Sequence, residues 1–142
     1  MEKKLEVDIQ VIVHATEDLQ KILGSFKDTF GIEPDAFSSQ TVQGHYENPI
    51  ILLSAKLKKK DSKKFMQTVT SKLPKEDFDL ILEDLENRCD DSSLHLRISK
   101  QSLISGKVEL ADIDPVKLKI YTPIYVQKDL LKTYSEILNG RI

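Results

Sequence analysis

Gly44–Lys60, GHYENPIILLSAKLKKK, is the stretch whose reading decides the fold. Asn48-Pro49 is a turn signal that ends whatever element precedes it. The apolar run Ile50-Ile51-Leu52-Leu53 follows, and then alternation sets in: Ala55 and Leu57 on one side, Ser54, Lys56 and Lys58 on the other. A run of branched residues bounded by proline predicts a strand. Side chains alternate across a sheet, so Ile51, Leu53, Ala55 and Leu57 are expected on the core face. Lys56 and Lys58 are then expected outside, beside Lys59, Lys60, Lys63 and Lys64.

The same period runs through the stretch before it. Across Leu5–Ala15, Leu5, Val7, Ile9, Val11 and Val13 alternate with Glu6, Asp8, Gln10, Ile12 and His14, which predicts a first strand with one buried face. Thr16 is placed to cap a helix, and Glu17 and Asp18 suit the positive end of its dipole. Leu19, Ile22, Leu23, Phe26 and Phe30 recur at helical spacing, so Thr16–Phe30 is expected to be amphipathic and to end at Gly31. Ala36–Val42 reads as a weak second strand, with Gly44–Asn48 as the loop to the strong one.

Beyond the lysines, Asp61 or Ser62 is expected to cap a helix that turns Phe65, Met66, Val69 and Leu73 inward. Pro74 starts another, with Phe78, Ile81, Leu82, Leu85 and Cys89 as one stripe and an acidic opposite face. Cys89 on that stripe reads as a packed thiol. Asp90–Ser93 is a turn. Leu94, Leu96 and Ile98 alternate with His95, Arg97 and Ser99 as a further strand. Lys100–Gly106 connects onward, Val108–Leu110 is a short strand, and Val116, Leu118 and Ile120 mark a late one. Val126, Leu130, Tyr134, Ile137 and Leu138 mark a last amphipathic helix. This order predicts an α+β fold, a two-layer arrangement of a mostly antiparallel sheet with helices on one face. The chain of 142 residues is expected to form one such domain, residues 1–142.

Composition narrows the function classes. The chain is 31% charged with a net charge of -2, so nucleic-acid binding requires an uneven distribution of charge. No stretch approaches the roughly 18 consecutive apolar residues of a membrane span. The opening MEKKLEVDIQ has no signal-peptide core, and the single cysteine fits a reducing compartment, so a cytoplasmic protein without membrane contact is expected. His14, His45 and His95 lie on separate elements without metal-ligand spacing, and the five glycines form no phosphate loop. No catalytic residue, metal or cofactor is therefore expected.

The uncovered sheet face is expected to present Gln10, His14, Lys56, Lys58, His95, Arg97, Lys117 and Lys119. Cations on an open sheet bind phosphates, and guanidinium planes stack on bases. Lys58, Lys59 and Lys60 stand where a helix dipole disfavours positive charge, so helix stability does not explain them.

Three motifs carry a resemblance. Val13-His14-Ala15-Thr16-Glu17, Gly44-His45-Tyr46-Glu47-Asn48-Pro49-Ile50-Ile51-Leu52 and Leu94-His95-Leu96-Arg97-Ile98-Ser99-Lys100-Gln101 resemble, in matching order over roughly Val7 to Ile120, an archaeal family of predicted RNA-binding proteins. That family was once called domain of unknown function 54, and its members are described as predicted exosome subunits. The resemblance implies a fold like that of the large-subunit ribosomal protein that contacts 5S RNA, and a cytoplasmic role in RNA processing or translation. It brings no catalytic residues. Carried over by motif, His14, Thr16, Gly44, His45, Tyr46, Asn48, Arg97, Lys100 and Gln101 become candidate RNA-binding residues. The chain departs from the pattern at Glu47, where a small residue is usual, and at Ser99, where aspartate is usual.

Together these features predict an RNA-binding protein that uses the open basic sheet face and adjoining loops. Two other classes stay open: a protein-interaction subunit of an exosome-type RNA-processing complex that docks through its helices, and an enzyme using His14, His45 and Arg97.

Overall fold

In a computed structural model, which describes residues 4–43 and 48–140, the first alternating segment lies at the centre of the sheet. Val7, Ile9, Val11 and Val13 of β1 (Glu6–Val13) are all buried, as is Leu5 just before it. β1 is flanked by β3 (Pro49–Lys58) and β6 (Pro115–Tyr121), antiparallel to both. Ile9 sits opposite Ala55 on one side and Leu118 on the other, so three apolar alternations line up into one buried surface. β2 (Ser38–Gln43), β4 (Cys89–Asp90) and β5 (Ser93–Ser99) complete a six-stranded sheet of order β2-β3-β1-β6-β5-β4, with every pair antiparallel. The predicted α+β class is the one observed.

Helices cover the apolar face. α1 (Leu19–Phe30) buries Ile22, Phe26 and Phe30 and ends at Gly31, whose φ of 71° is the left-handed conformation that glycine adopts freely. Its cap is Asp18, whose carboxylate accepts from the Gln20 and Lys21 N–H groups, and not Thr16. The cause is that residues 14–17 form a turn of their own, with Glu17 N–H donating to the His14 carbonyl. α2 (Lys59–Lys72) turns Phe65, Met66 and Val69 inward as expected, but starts directly out of β3 without the predicted Asp61 or Ser62 cap. Lys59 makes that switch at φ 51° while its N–H donates to the Leu5 carbonyl. Phe26, Phe30, Phe37 and Phe65 pack ring against ring, with Phe30 and Phe65 centroids 4.5 Å apart, and so tie α1 to α2.

The stripe expected from Phe78 to Cys89 is interrupted. α3 (Lys75–Glu83) stops at Asp84, α4 (Leu85–Arg88) is a single turn, and Cys89 begins β4 half-buried. Burial still pushes its thiol pKa up, which agrees with a packed cysteine. α5 (Lys100–Ile104) follows β5 directly, and α6 (Leu130–Leu138) closes the chain over the core. The Tyr134 hydroxyl on α6, its pKa raised to about 12 by burial, lies against the Ser92 and Ile120 carbonyls and accepts from Thr122 N–H. Val108–Leu110 contributes only a bridge from Leu110 to Ile98, not a strand. Among the described residues no helix is long and apolar enough to cross a membrane.

Candidate nucleic-acid interface

The register of the sheet arranges the outward side chains in rows. One row crosses five strands: Ser38, Ser54, Gln10, Lys117 and Arg97. The next carries Lys56, Asp8, Lys119 and His95. On the other side of the first row, Gln40 and Leu52 stand next to Ile12. Here the face sinks into a groove of about 770 Å³, floored by Ile12 and Leu52 and lined with Ser38, Gln40, Ser54, Gln10, Arg97 and Lys117. Asp112 and Asp114, from the loop before β6, line it as well.

Arg97 and Lys117 sit directly opposite each other across the β5–β6 ladder. Like charges in that relation destabilise a sheet. Neither side chain has an ion-pair partner among the described residues, and the same holds for Lys119. Folding gains nothing from such a pair, whereas an anion laid across it would relieve the repulsion.

The positive bias of this face is weaker on the β3 side. Glu6 and Asp8 alternate outward with Gln10, and β1 is the strand beside β3. Lys56 therefore lies 3.7 Å from Glu6 and 3.8 Å from Asp8 and is largely neutralised by them. Lys58 faces Glu6 in the same register. At about 3.3 Å per residue, Lys58 is roughly 13 Å along β3 from Ser54. The exposed Lys58, Lys59 and Lys60 thus form a separate cluster beyond the groove. His95 is exposed next to Lys119.

Lys100 has a different place from the one expected. It is 2% exposed, and its ammonium reaches the Ile12 carbonyl at 2.7 Å, Glu17 at 2.8 Å and Asp114 at 2.8 Å. A buried charge costs several kcal/mol unless it is paired and hydrogen-bonded. Lys100 meets that condition internally, so it ties the loop after β1 and the loop before β6 to the start of α5 and presents no donor to a ligand. His14 joins the same cluster. Its ring Nε2 is 3.1 Å from Asp114, and its backbone N–H donates to Glu17. Partial burial would raise the Asp114 pKa. The hydrogen bonds and charges of Lys100 and His14 outweigh that effect and hold the carboxyl below its ordinary value. His14, Glu17 and Asp114 are close enough to suggest a metal site, but the Lys100 ammonium already supplies the positive charge among the carboxylates.

Ser99 caps α5 by accepting from Ser102 N–H, a task that serine and aspartate both perform, so this departure from the family pattern keeps the local geometry. Gln101 is exposed on α5, 3.5 Å from Glu17. Thr16 and Asn48 are exposed. Gly44, His45, Tyr46 and Glu47 lie outside the described residues. Sequence reasoning missed Ile12, Gln40, Leu52, Asp112 and Asp114 as groove residues, because only pairing between distant strands brings them together.

A family model described as RNA binding matches residues 6–122, a span that contains the whole sheet and the Lys100 cluster. The chain belongs to this RNA-binding family. A Pyrococcus abyssi chain named RNA-binding protein is 27% identical over 94% of this chain and 93% of its own length. An Archaeoglobus fulgidus crystal structure of a family member, also termed domain of unknown function 54, superposes with a TM-score of 0.79 at 30% identity. That superposition covers 95% of this chain and 99% of the other. A Sulfolobus solfataricus member gives 0.75 at 29% identity, over 96% of this chain and 99% of the other. The RNA-binding family is thus archaeal in these relatives, and its fold extends over the described groove.

Proposed function

We propose that this chain binds single-stranded RNA on the open face of its sheet, with bases in the groove and phosphates against Arg97, Lys117 and Lys119. The observation that carries this reading is the opposed, unpaired Arg97 and Lys117 beside an apolar-floored groove. At about 770 Å³ the groove falls within the range of sites that hold small organic ligands, enough for one or two nucleotides. Ile12 and Leu52 offer apolar surface to a base, Gln10 and Gln40 offer amides, and Arg97 offers a plane and a fork of donors. Ile113, 90% exposed beside the groove, adds apolar surface that folding leaves unused. Lys58, Lys59 and Lys60 extend phosphate contact beyond the groove, while Lys56 contributes less because Glu6 and Asp8 offset it. Thr16, Asn48 and the α5 residue Gln101 serve beside the face, and His14 and Lys100 position the loops after β1 and before β6. We place this activity in archaeal RNA processing or translation.

A second reading has its own observation. Tyr125 at 92% exposure, with Val126 and Leu131 also exposed, gives the start of α6 apolar surface of the kind that docks on a protein, such as a subunit of an exosome-type complex. Salt-dependent binding to a labelled single-stranded RNA separates the two. Each neutralised phosphate contributes about -0.7 to the slope of log K against log[salt]. Replacing Lys117 and Lys119 by glutamine is expected to flatten that slope by about 1.4, whereas Lys56→Gln leaves it within about 0.3 of the parent. An RNA affinity indifferent to the double substitution moves the function from the sheet face to the helices.

A further inference from the structure

The groove carries both signs of charge, and phosphate contact uses only one of them. Arg97 and Lys117 suit phosphate, whereas Asp112 and Asp114 repel it. Both Asp114 oxygens are engaged, one with His14 and one with Lys100. Asp112 is exposed and makes no hydrogen bond or ion pair among the described residues. An ionised carboxylate only accepts hydrogen bonds, so the part of an RNA that meets Asp112 must supply donors. In an unpaired strand those donors are the base edges and the 2′-hydroxyl.

Base chemistry narrows the partner. The two carboxylate oxygens match two adjacent donors. Guanine presents such a pair, N1–H and the N2 amino group, on its Watson–Crick edge. Adenine and cytosine set their amino group beside an unprotonated ring nitrogen, whose lone pair faces the second oxygen. Uracil sets its single N–H between two carbonyls. The 2′-hydroxyl offers one donor and is the same on every nucleotide. The floor of the groove suits a purine as well: Ile12 and Leu52 offer apolar surface to the ring face, while Arg97 and Lys117 hold the phosphates beside it.

We infer that the groove selects an unpaired guanine, with Asp112 accepting from N1–H and N2–H, an assignment that rests on the RNA-binding reading above. Its test is fluorescence anisotropy with four labelled octamers, one all uridine and three with a single central guanosine, adenosine or cytidine. The guanosine octamer is expected to bind about tenfold more tightly than the others, the effect of one good bidentate contact. In Asp112→Asn, one acceptor becomes an amino donor that clashes with the base edge. The guanosine preference should then fall to within about twofold, while affinity for all-uridine RNA holds or rises as a negative charge is lost. Asp112→Ala should lose the preference likewise. Wild-type binding of all four octamers within twofold overturns guanine selection and leaves RNA binding standing. A preference that survives in both variants removes it from Asp112. Binding of none of the four defeats the RNA-binding reading, and this assignment with it.

Discussion

Replacing Arg97 by glutamine should separate stability from binding. The structure places the Arg97 and Lys117 side chains on the same face at directly opposed positions. At a head-group separation on the order of 6 Å, two unit charges in water repel by about 0.7 kcal/mol. Physiological salt, with a Debye length of about 8 Å, reduces this by roughly half. Glutamine keeps most of the aliphatic stem and removes the charge, so the variant should gain a few tenths of a kcal/mol. For a chain of this length about 1 kcal/mol moves Tm by roughly 2–4 °C, so a rise of about 1 °C is expected. Binding should move the other way. A charge-assisted hydrogen bond contributes roughly 1.5–3 kcal/mol, so affinity for single-stranded RNA should fall by about tenfold or more. The salt slope should flatten by about 0.7 for the lost phosphate contact. Thermal unfolding followed by circular dichroism, and anisotropy titrations from low to moderate salt, read the two effects separately. A Tm lowered by several degrees together with unchanged RNA affinity would refute the reasoning, since Arg97 would then belong to the scaffold.

Lys100→Met should destabilise the fold by roughly 3 kcal/mol, because it leaves Glu17, Asp114 and the Ile12 carbonyl without their shared donor; a urea midpoint that moves little at constant slope would contradict the structural role of that ammonium. Asp114 has a depressed pKa in the fold, so its contribution is fully present above its ordinary value of 3.8 and is lost as pH falls through the lower folded value. The stability difference between the parent and Asp114→Asn should accordingly shrink as pH drops below 3.8, and a difference that grows there would reverse the assignment.

Much of the fold was legible in local pattern. A period of two places Val7, Ile9 and Val11, and likewise Leu94, Leu96 and Ile98, on one side of a strand wherever that strand lies, because alternation is a property of the extended backbone itself. Helical spacing did the same for Ile22, Phe26 and Phe30, and Gly31 ended α1 because a left-handed residue there carries no steric cost. Cap identity was less legible. Thr16 and Asp18 are both good caps, and the choice went to Asp18 because Glu17 is held by Lys100 and by the His14 N–H. The Phe78–Cys89 stripe fits one helix on paper, but Cys89 pairs with Leu94 in the sheet instead.

The candidate site divides along the same line. By itself the sequence determined that Arg97, Lys117 and Lys119 point away from the core, since alternation alone requires it. Only the tertiary structure decided which neighbours they meet. Placing β1 between β3 and β6 brought Glu6 and Asp8 to Lys56 and left Arg97 opposed to Lys117. Pairing β6 with β1 brought Asp114 to His14 across 100 residues of sequence, and pairing β6 with β5 buried Lys100 beside them. Electrostatic energy depends on distances in space, and in a sheet of this order the nearest charges come from segments far apart in the chain.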